Sequence, residues 1–284
     1  MTAGLDPSAF VGALLPGTVT PEGPATARVG RGDLFVVEAD EYAGNFDAYH
    51  PEVIVLTSAE WDHPDVFTDR EAVLAAFEAW IWRAADGVSN ARLPSLVANV
   101  GDPGVAEIVD RLGVWPGRLV AVALVDVAPQ RISGFARGIT DRFRTAAGGP
   151  MVVLGRITDA RPDATWLDIH GLDALAGPVA VALPMAGRHN AANALGVAGA
   201  CLSIGLQPAV IVEGLASFPG IGRRLEFKGE ASNVVVYDDY GHHPTAIRET
   251  IAAIRQREPG RRVWAVYEPL TYHRTAALLG DFGS

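Results

Sequence analysis

The residues that could do chemistry follow two short apolar runs. Leu34-Phe35-Val36-Val37 leads directly into Glu38-Ala39-Asp40-Glu41, and Val53-Ile54-Val55-Leu56 leads through Thr57-Ser58-Ala59-Glu60-Trp61 into Asp62-His63. A carboxylate such as Glu38 and an imidazole such as His63, set on neighbouring strand ends, can hold a divalent cation. Mg2+ commonly joins one or two such ligands to substrate phosphates. Acids after a strand also simply solvate a loop; one occurrence favours that reading, and two parallel occurrences leave the readings level. Both runs are continuous and rich in β-branched residues, the pattern of strands buried on both faces of a helix-covered parallel sheet. Ligands of open α/β sheets sit beyond the carboxyl ends of the strands, so Glu38 and His63 are expected at one working edge.

The elements that must position these residues can be read along the chain. Its 284 residues allow one large or two ordinary domains. With 49% hydrophobic residues the chain is globular and not disordered. A net charge of −10 argues against general nucleic-acid affinity, though a phosphorylated ligand needs only local positive charge or a helix N-terminus. The lone Cys201 gives no intrachain disulfide and no thiolate-rich metal site, which fits a reducing cytoplasm. Neither a signal peptide nor a membrane span is visible.

Residues 1–32 are rich in Gly, Pro and Thr and carry no complete element. Thr68-Asp69-Arg70-Glu71 has capping-box spacing before a helix with Val73, Leu74, Phe77, Trp80 and Ile81 on one face. Residues 96–99 and 119–125 read as strands, and between them Asp102-Pro103 caps a helix that stops near Gly113. Residues 131–170 break into short runs, read as an antiparallel β patch appended to the parallel sheet. Residues 179–183 lead through Pro184-Met185-Ala186-Gly187-Arg188-His189-Asn190 into a helix ending near Gly205, with another from about 208 to 217. Phe218-Pro219-Gly220-Ile221-Gly222 is the best domain boundary. Its G-x-G reads as linker, since no strand precedes it. Beyond it, residues 225–228 and 234–237 form paired strands. A helix with Ile247, Ile251 and Ile254 on one face follows, then a strand at 263–267 and the start of a last helix near 275–279.

Four ordered blocks resemble the Mur ligase family, ATP-dependent enzymes that add amino acids to the peptidoglycan precursor. They are Glu38-Ala39-Asp40-Glu41; residues 57–63 ending Glu60-Trp61-Asp62-His63; Gly187-Arg188-His189-Asn190-Ala191-Ala192-Asn193-Ala194; and Gly222-Arg223-Arg224-Leu225-Glu226 followed by Asp238-Asp239-Tyr240-Gly241-His242-His243-Pro244-Thr245. Any one is weak, but the ordered set is specific, and the nearest branches are the alanine-adding and murein-peptide-recycling ones. The resemblance implies an α/β fold: a mostly parallel sheet flanked by helices, part of the central ATP-binding domain, over residues 1–218. The first part of a Rossmann-like C-terminal, amino-acid-binding domain would follow over residues 219–284. It implies ATP and Mg2+ as cofactors and UDP-N-acetylmuramate and an amino acid, L-alanine in particular, as substrates. Amide formation would pass through an acyl phosphate in the cytoplasm, with no nucleic-acid or membrane partner.

By the same resemblance, Glu38 and His63 would hold Mg2+ bridging the phosphates. His189, Asn190 and Asn193 would lie around the adenine, whose edge suits an amide that donates and accepts at once; the residues alone also allow Asn190 as a helix N-cap. Arg224 would reach the phosphates when the domains close, with Arg223 a surface residue. Asp239 would contact the ribose. Tyr240, His242 and Arg274 would face the incoming amino acid, Arg274 pairing with its carboxylate, while His243-Pro244 shapes a helix start.

The chain also departs from the family. Ser58 stands where the family usually has Asn, and Leu270-Thr271 where the alanine-adding branch has His and Arg, which leaves the amino acid open. Lys228, the only lysine, lies in Phe227-Lys228-Gly229-Glu230 and cannot serve a G-x-x-G-K-[ST] phosphate loop or a carbamylated-lysine device. The chain is therefore expected to be a fragment, without phosphate loop or N-terminal UDP-sugar domain, truncated in its second domain and inactive alone. The alternatives are a non-catalytic nucleotide- or metal-binding paralogue, a murein tripeptide-recycling ligase, and a folylpolyglutamate-synthetase-like enzyme. A metal-dependent hydrolase built on Asp40, Asp62, His63, His242 and His243 is the last, disfavoured because these straddle the boundary.

Overall fold

The structure, a computed structural model, describes residues 2–20, 23–86, 94–146, 148–173, 177–269 and 271–282. The chain opens with a three-stranded sheet in which β1 (Ser8–Leu15) pairs antiparallel with β2 (Ala25–Arg28) and parallel with β3 (Phe35–Val37). Residues 1–32 thus supply two strands where none was expected. The first apolar run also differs from expectation. Its strand β3 hydrogen-bonds only β1, at the edge of this small sheet, and Phe35 and Val36 are 61% and 52% exposed. It is therefore not a doubly buried strand of the main sheet.

The main sheet has six strands. They are β4 (Val53–Leu56), β5 (Ser95–Asn99), β7 (Arg118–Leu124), β9 (Met151–Ala160), β10 (Thr165–His170) and β11 (Val179–Leu183), while β6 (Val114–Trp115) and β8 (Arg144–Thr145) pair separately. The spatial order is β11-β10-β9-β7-β5-β4; β4, β5, β7 and β9 run parallel, and β10 and β11 add antiparallel at one edge. The central strands β5 and β7 are near-continuous hydrophobes because both their faces are covered. Leu96 and Ala98 pack with α1 (Arg70–Asp86), α2 (Pro103–Leu112) and α3 (Ile132–Arg142). Val97, one residue out of phase, packs with α4 (Arg188–Ser203) and α5 (Pro208–Ala216) on the opposite face. Cys201 lies half-buried on α4. The second apolar run forms β4 at the sheet's open edge; Ile54 and Leu56 are buried, but Val55 is 41% exposed.

Local signals explain most boundaries. The cap of α1 is Asp69, whose carboxylate accepts from the Ala72 N–H at 2.9 Å, rather than Thr68. Asp102 accepts from the Val105 N–H at 2.9 Å and the Ala59 N–H at 3.3 Å, capping α2 and tying down the loop after β4. Asp102→Ala removes both acceptors and is expected to lower stability by about 1–2 kcal/mol in urea unfolding; an unchanged midpoint would show that water replaces them. Helix α3 corrects the all-β reading of residues 131–170. Its Ile132 and Ile139 are buried in the core, whereas Gly134 and Gly138, which look like breakers, sit where an added Cβ would meet nothing within 4 Å.

The second group of elements begins with the hairpin β12 (Glu226–Ala231) and β13 (Val234–Asp238), joined through Ser232 and Asn233 at φ 50° and 62°. Helix α6 (Pro244–Arg257) follows, then the short α7 (Tyr272–Ala277) and α8 (Leu279–Phe282). Ala253 is the fully buried position of α6, and Ile247, Ile251 and Ile254 are only half-buried. Residues 263–267, expected as a strand, pair with no strand among the described residues, and Trp264 and Val266 are 79% and 98% exposed. A β-branched run becomes a strand only where a neighbour supplies N–H and C=O partners. No helix among the described residues is long and apolar enough to cross a membrane.

Candidate functional site

The loop leaving β4 crosses to α6 and α7. Glu60 accepts from the Thr245 hydroxyl at 2.8 Å, and His243 Nε2 lies 3.3 Å from the Trp61 carbonyl. His243 is also the cap of α6, its Nδ1 accepting from the Thr245 N–H at 3.3 Å. The ring proton therefore sits on Nε2, which donates to Trp61. Next along the loop, Asp62 accepts from Arg274, and one guanidinium nitrogen of Arg274 lies 3.4 Å from His63 Nδ1. Arg274 is only 5% exposed. Burial alone would push the Asp62 carboxyl up, but the bonds from Arg274 and the His63 N–H, with their charges, outweigh it and hold it below the usual carboxylate range. His63 has φ 56°, packs on the Tyr42 ring, and points Nε2 at Glu41 and Asp62, each 3.8 Å away.

Glu38 is not part of this cluster. Its strand belongs to the small sheet, and its exposed carboxylate accepts from the Gly12 N–H at 2.6 Å. The two strands are not neighbours in one sheet as expected: β3 lies in the small sheet and β4 at the edge of the main one. Glu38 thus holds a backbone amide with one carboxylate oxygen, and His63 faces Arg274 with Nδ1 and the carboxylates of Glu41 and Asp62 with Nε2. Among the described residues no group of three or more His, Cys, Asp or Glu could hold a metal, so the five-residue hydrolase constellation is not assembled either.

The start of α4 is the second part of the site. Gly187 caps it, so Asn190 is not the N-cap; the Asn190 amide lies in the first turn and donates to the Ala186 carbonyl at 2.7 Å. Asn193 is exposed. His189 Nδ1 stands 3.6 Å from Glu249 of α6. Arg224 is exposed, forms no ion pair among the described residues, and places its charge within reach of both His189 and His242. Asp239 is already engaged: it accepts from the N–H of Leu225 at 2.9 Å and of Gly241 at 2.8 Å, and from the Thr250 hydroxyl at 3.1 Å. Arg223 is more than a surface residue, since its guanidinium covers the Tyr240 ring at 4.6 Å. His242 donates from Nδ1 to the Tyr240 carbonyl at 3.0 Å. Leu270 lies outside the described residues. Nothing in the sequence singled out Glu249 or Gln256, and Glu41 entered only as the end of the first motif block; Glu249 and Gln256, with Ala253, have i, i+4, i+7 spacing, the sole signal of a shared helix face.

Burial holds His170, His189 and His242 below the ordinary histidine range. The unfolded chain then binds more protons in the window beneath its own value of about 6.5. Stability rises with pH through that window, is full above it and falls on acidification. The Tm is accordingly expected to be higher at pH 7.5 than at pH 5.5, with the difference smaller in His189→Gln; equal differences in both proteins would remove His189 from this account.

Residues 223–284 match the family described as Mur ligase, glutamate ligase domain. The chain is 36% identical to a UDP-N-acetylmuramate–L-alanine ligase of Frankia casuarinae, across 99% of this chain and 54% of the relative. Its fold is similar to that of a UDP-N-acetylmuramate-alanine ligase from Thermotoga maritima, with TM-score 0.67 and 18% identity over 98% of this chain and 54% of that one. It is also similar to that of a murein peptide ligase from Psychrobacter arcticus, with TM-score 0.61 and 21% identity over 95% and 53%. The chain spans about half the length of the curated relatives it matches.

Proposed function

Because the chain belongs to the Mur ligase family, we propose that it is part of an ATP-dependent ligase that joins L-alanine to UDP-N-acetylmuramate. One observation carries this reading: α6 touches three of the four motif blocks. Thr245 meets Glu60 beside His63, Glu249 meets His189, and Thr250 meets Asp239. Residues 1–218 form the ATP-binding part and residues 219–284 the amino-acid-binding part.

In this reading His189, Asn190 and Asn193 flank the adenine and Asp239 approaches the ribose. Arg224 serves the phosphates, where a guanidinium stabilises charge developing on a transferring phosphoryl group. Tyr240, His242 and Arg274 receive the amino acid, Arg274 exchanging Asp62 for the substrate carboxylate. The substrate carboxylate takes the terminal phosphoryl group of ATP and ADP leaves. The neutral amine then attacks the acyl carbon, and phosphate departs as the amide forms. ATP with Mg2+ is the expected cofactor pair; Glu38 and His63 would hold the ion, which would supply positive charge beside the phosphates.

The test is to incubate the full-length product of the gene with ATP, Mg2+, UDP-N-acetylmuramate and L-alanine. ADP release that requires the amino acid, with a product heavier by one alanyl residue, is expected; nucleotide hydrolysis indifferent to it would count against the reading. Preference for a murein tripeptide would shift the assignment to the recycling branch. The non-catalytic paralogue is the other outcome of this test. It requires ATP binding without turnover.

A further inference from the structure

Gln256 projects from the last turn of α6 into the rest of the molecule, and its carboxamide has partners on two separate segments. Its Oε1 accepts from the Gly187 N–H at 2.9 Å. Its Nε2 donates to the Arg161 carbonyl at 2.9 Å and to the Thr165 hydroxyl oxygen at 3.0 Å, with the Ala164 carbonyl at 3.4 Å. The orientation of this amide is dictated by its partners. Thr165, fully buried, spends its proton on the Met185 carbonyl at 2.8 Å and can only accept from Gln256. Gly187 can only donate. Three residues of α6 thus meet one loop: Glu249 at His189, Ala253 packed against Ala186, and Gln256 at Gly187. Gly187 is held at φ 99°, and an added Cβ there would lie 2.9 Å from the Ala253 Cβ.

We propose that Gln256 is a positioning residue: its carboxamide fixes the Gly187 backbone, and through it the start of α4 that carries His189 and Asn190, against the β9–β10 turn. One side chain of the amino-acid-binding part then sets the geometry of the candidate nucleotide loop. What the loop holds rests on the proposed function; that Gln256 sets the loop does not.

The experiment uses the 15N-labelled chain and the variants Gln256→Glu and Gln256→Ala. The introduced carboxyl is isosteric with the amide. When protonated it can still accept from Gly187 and donate towards the turn; when ionised it turns an oxygen towards acceptors only. In Gln256→Glu the Gly187 amide resonance, and its protection against hydrogen exchange, are expected to titrate together, protection falling at least tenfold on ionisation. Amides of β5 and β7 should not move. In the unaltered chain the Gly187 resonance should follow only His189 beside it, and its protection should show no such fall. A Gly187 amide that ignores the introduced carboxyl, or a loss of protection spread evenly over β5 and β7, would overturn the proposal. If Gln256→Glu does not fold, Gln256→Ala decides by the same tenfold loss confined to Gly187 and its neighbours. ADP binding by the full-length gene product separates the two ideas. At least fivefold weaker ADP binding to Gln256→Ala supports the positioning role, and equal affinity overturns it. Failure of the unaltered full-length product to bind ADP would count against the proposed function while the Gly187 titration still decides the role of Gln256.

Discussion

Arg274→Ala is expected to lower the stability of the chain by about 3 kcal/mol, because it leaves a mostly buried carboxylate without its cation. Arg274 is 5% exposed and bonded to Asp62, whose side chain is 19% exposed, so water screens the pair little. The same guanidinium lies against His63 Nδ1, so Arg274→Lys, with one point charge, should recover only part of the loss. The pH dependence checks the assignment. The folded carboxyl of Asp62 lies below its unfolded value, near 3.9. Its stabilisation is therefore present above that value and lost as pH falls through the folded one. Below about pH 4 the unaltered chain should lose stability more steeply than Arg274→Ala. Urea unfolding at pH 7 and pH 3 measures both effects, and a loss under about 0.5 kcal/mol at pH 7, the size of an ordinary surface change, would mean that Asp62 is solvated without its partner.

Gly187→Ala is the second large effect, expected at about 3 kcal/mol from two sources. A side chain at φ 99° adds backbone strain of order 1–3 kcal/mol. The new methyl would also stand 2.7 Å from His189 Cε1 and 2.9 Å from the Ala253 Cβ, and overpacking costs about 1–3 kcal/mol. Gly205→Ala separates the sources, since Gly205 has φ 84° but nothing within 4 Å of an added Cβ. Gly187→Ala should therefore unfold at lower urea than Gly205→Ala. Equal midpoints would assign the whole effect to backbone strain and dismiss the contact with α6.

What was legible in the sequence was what the chain specifies locally. Asp102-Pro103 and Gly113 bracket α2 as expected because capping is a matter of a few adjacent residues. Strands β5 and β7 declared themselves because burial on both faces leaves no room for polar side chains. The same logic misled at residues 34–37, since an apolar run does not say whether a strand lies at the centre or the edge of a sheet. Residues 132–142 hid a helix behind two glycines on its open side. Within the candidate site, blocks contiguous in sequence could be recognised. The Asp62–Arg274 pair joins residues 212 apart, and Gln256 is an unremarked polar residue on a helix, so neither announces itself before the fold is known.

Lys228 on β12 and Cys201 on α4 are each the only residue of their kind in the chain, and they lie on opposite sides of residues 218–222. Apart from the α-amine, an amine-reactive dye can attach at one position, and a thiol-reactive dye at one other. A donor and an acceptor fluorophore can thus be installed without engineering a single residue and without mixtures of labelled species. Burial pushes the Cys201 thiol up, so its alkylation will be slow at neutral pH and should precede the amine step. Energy transfer between the two dyes would report in real time any change in the separation of α4 and β12.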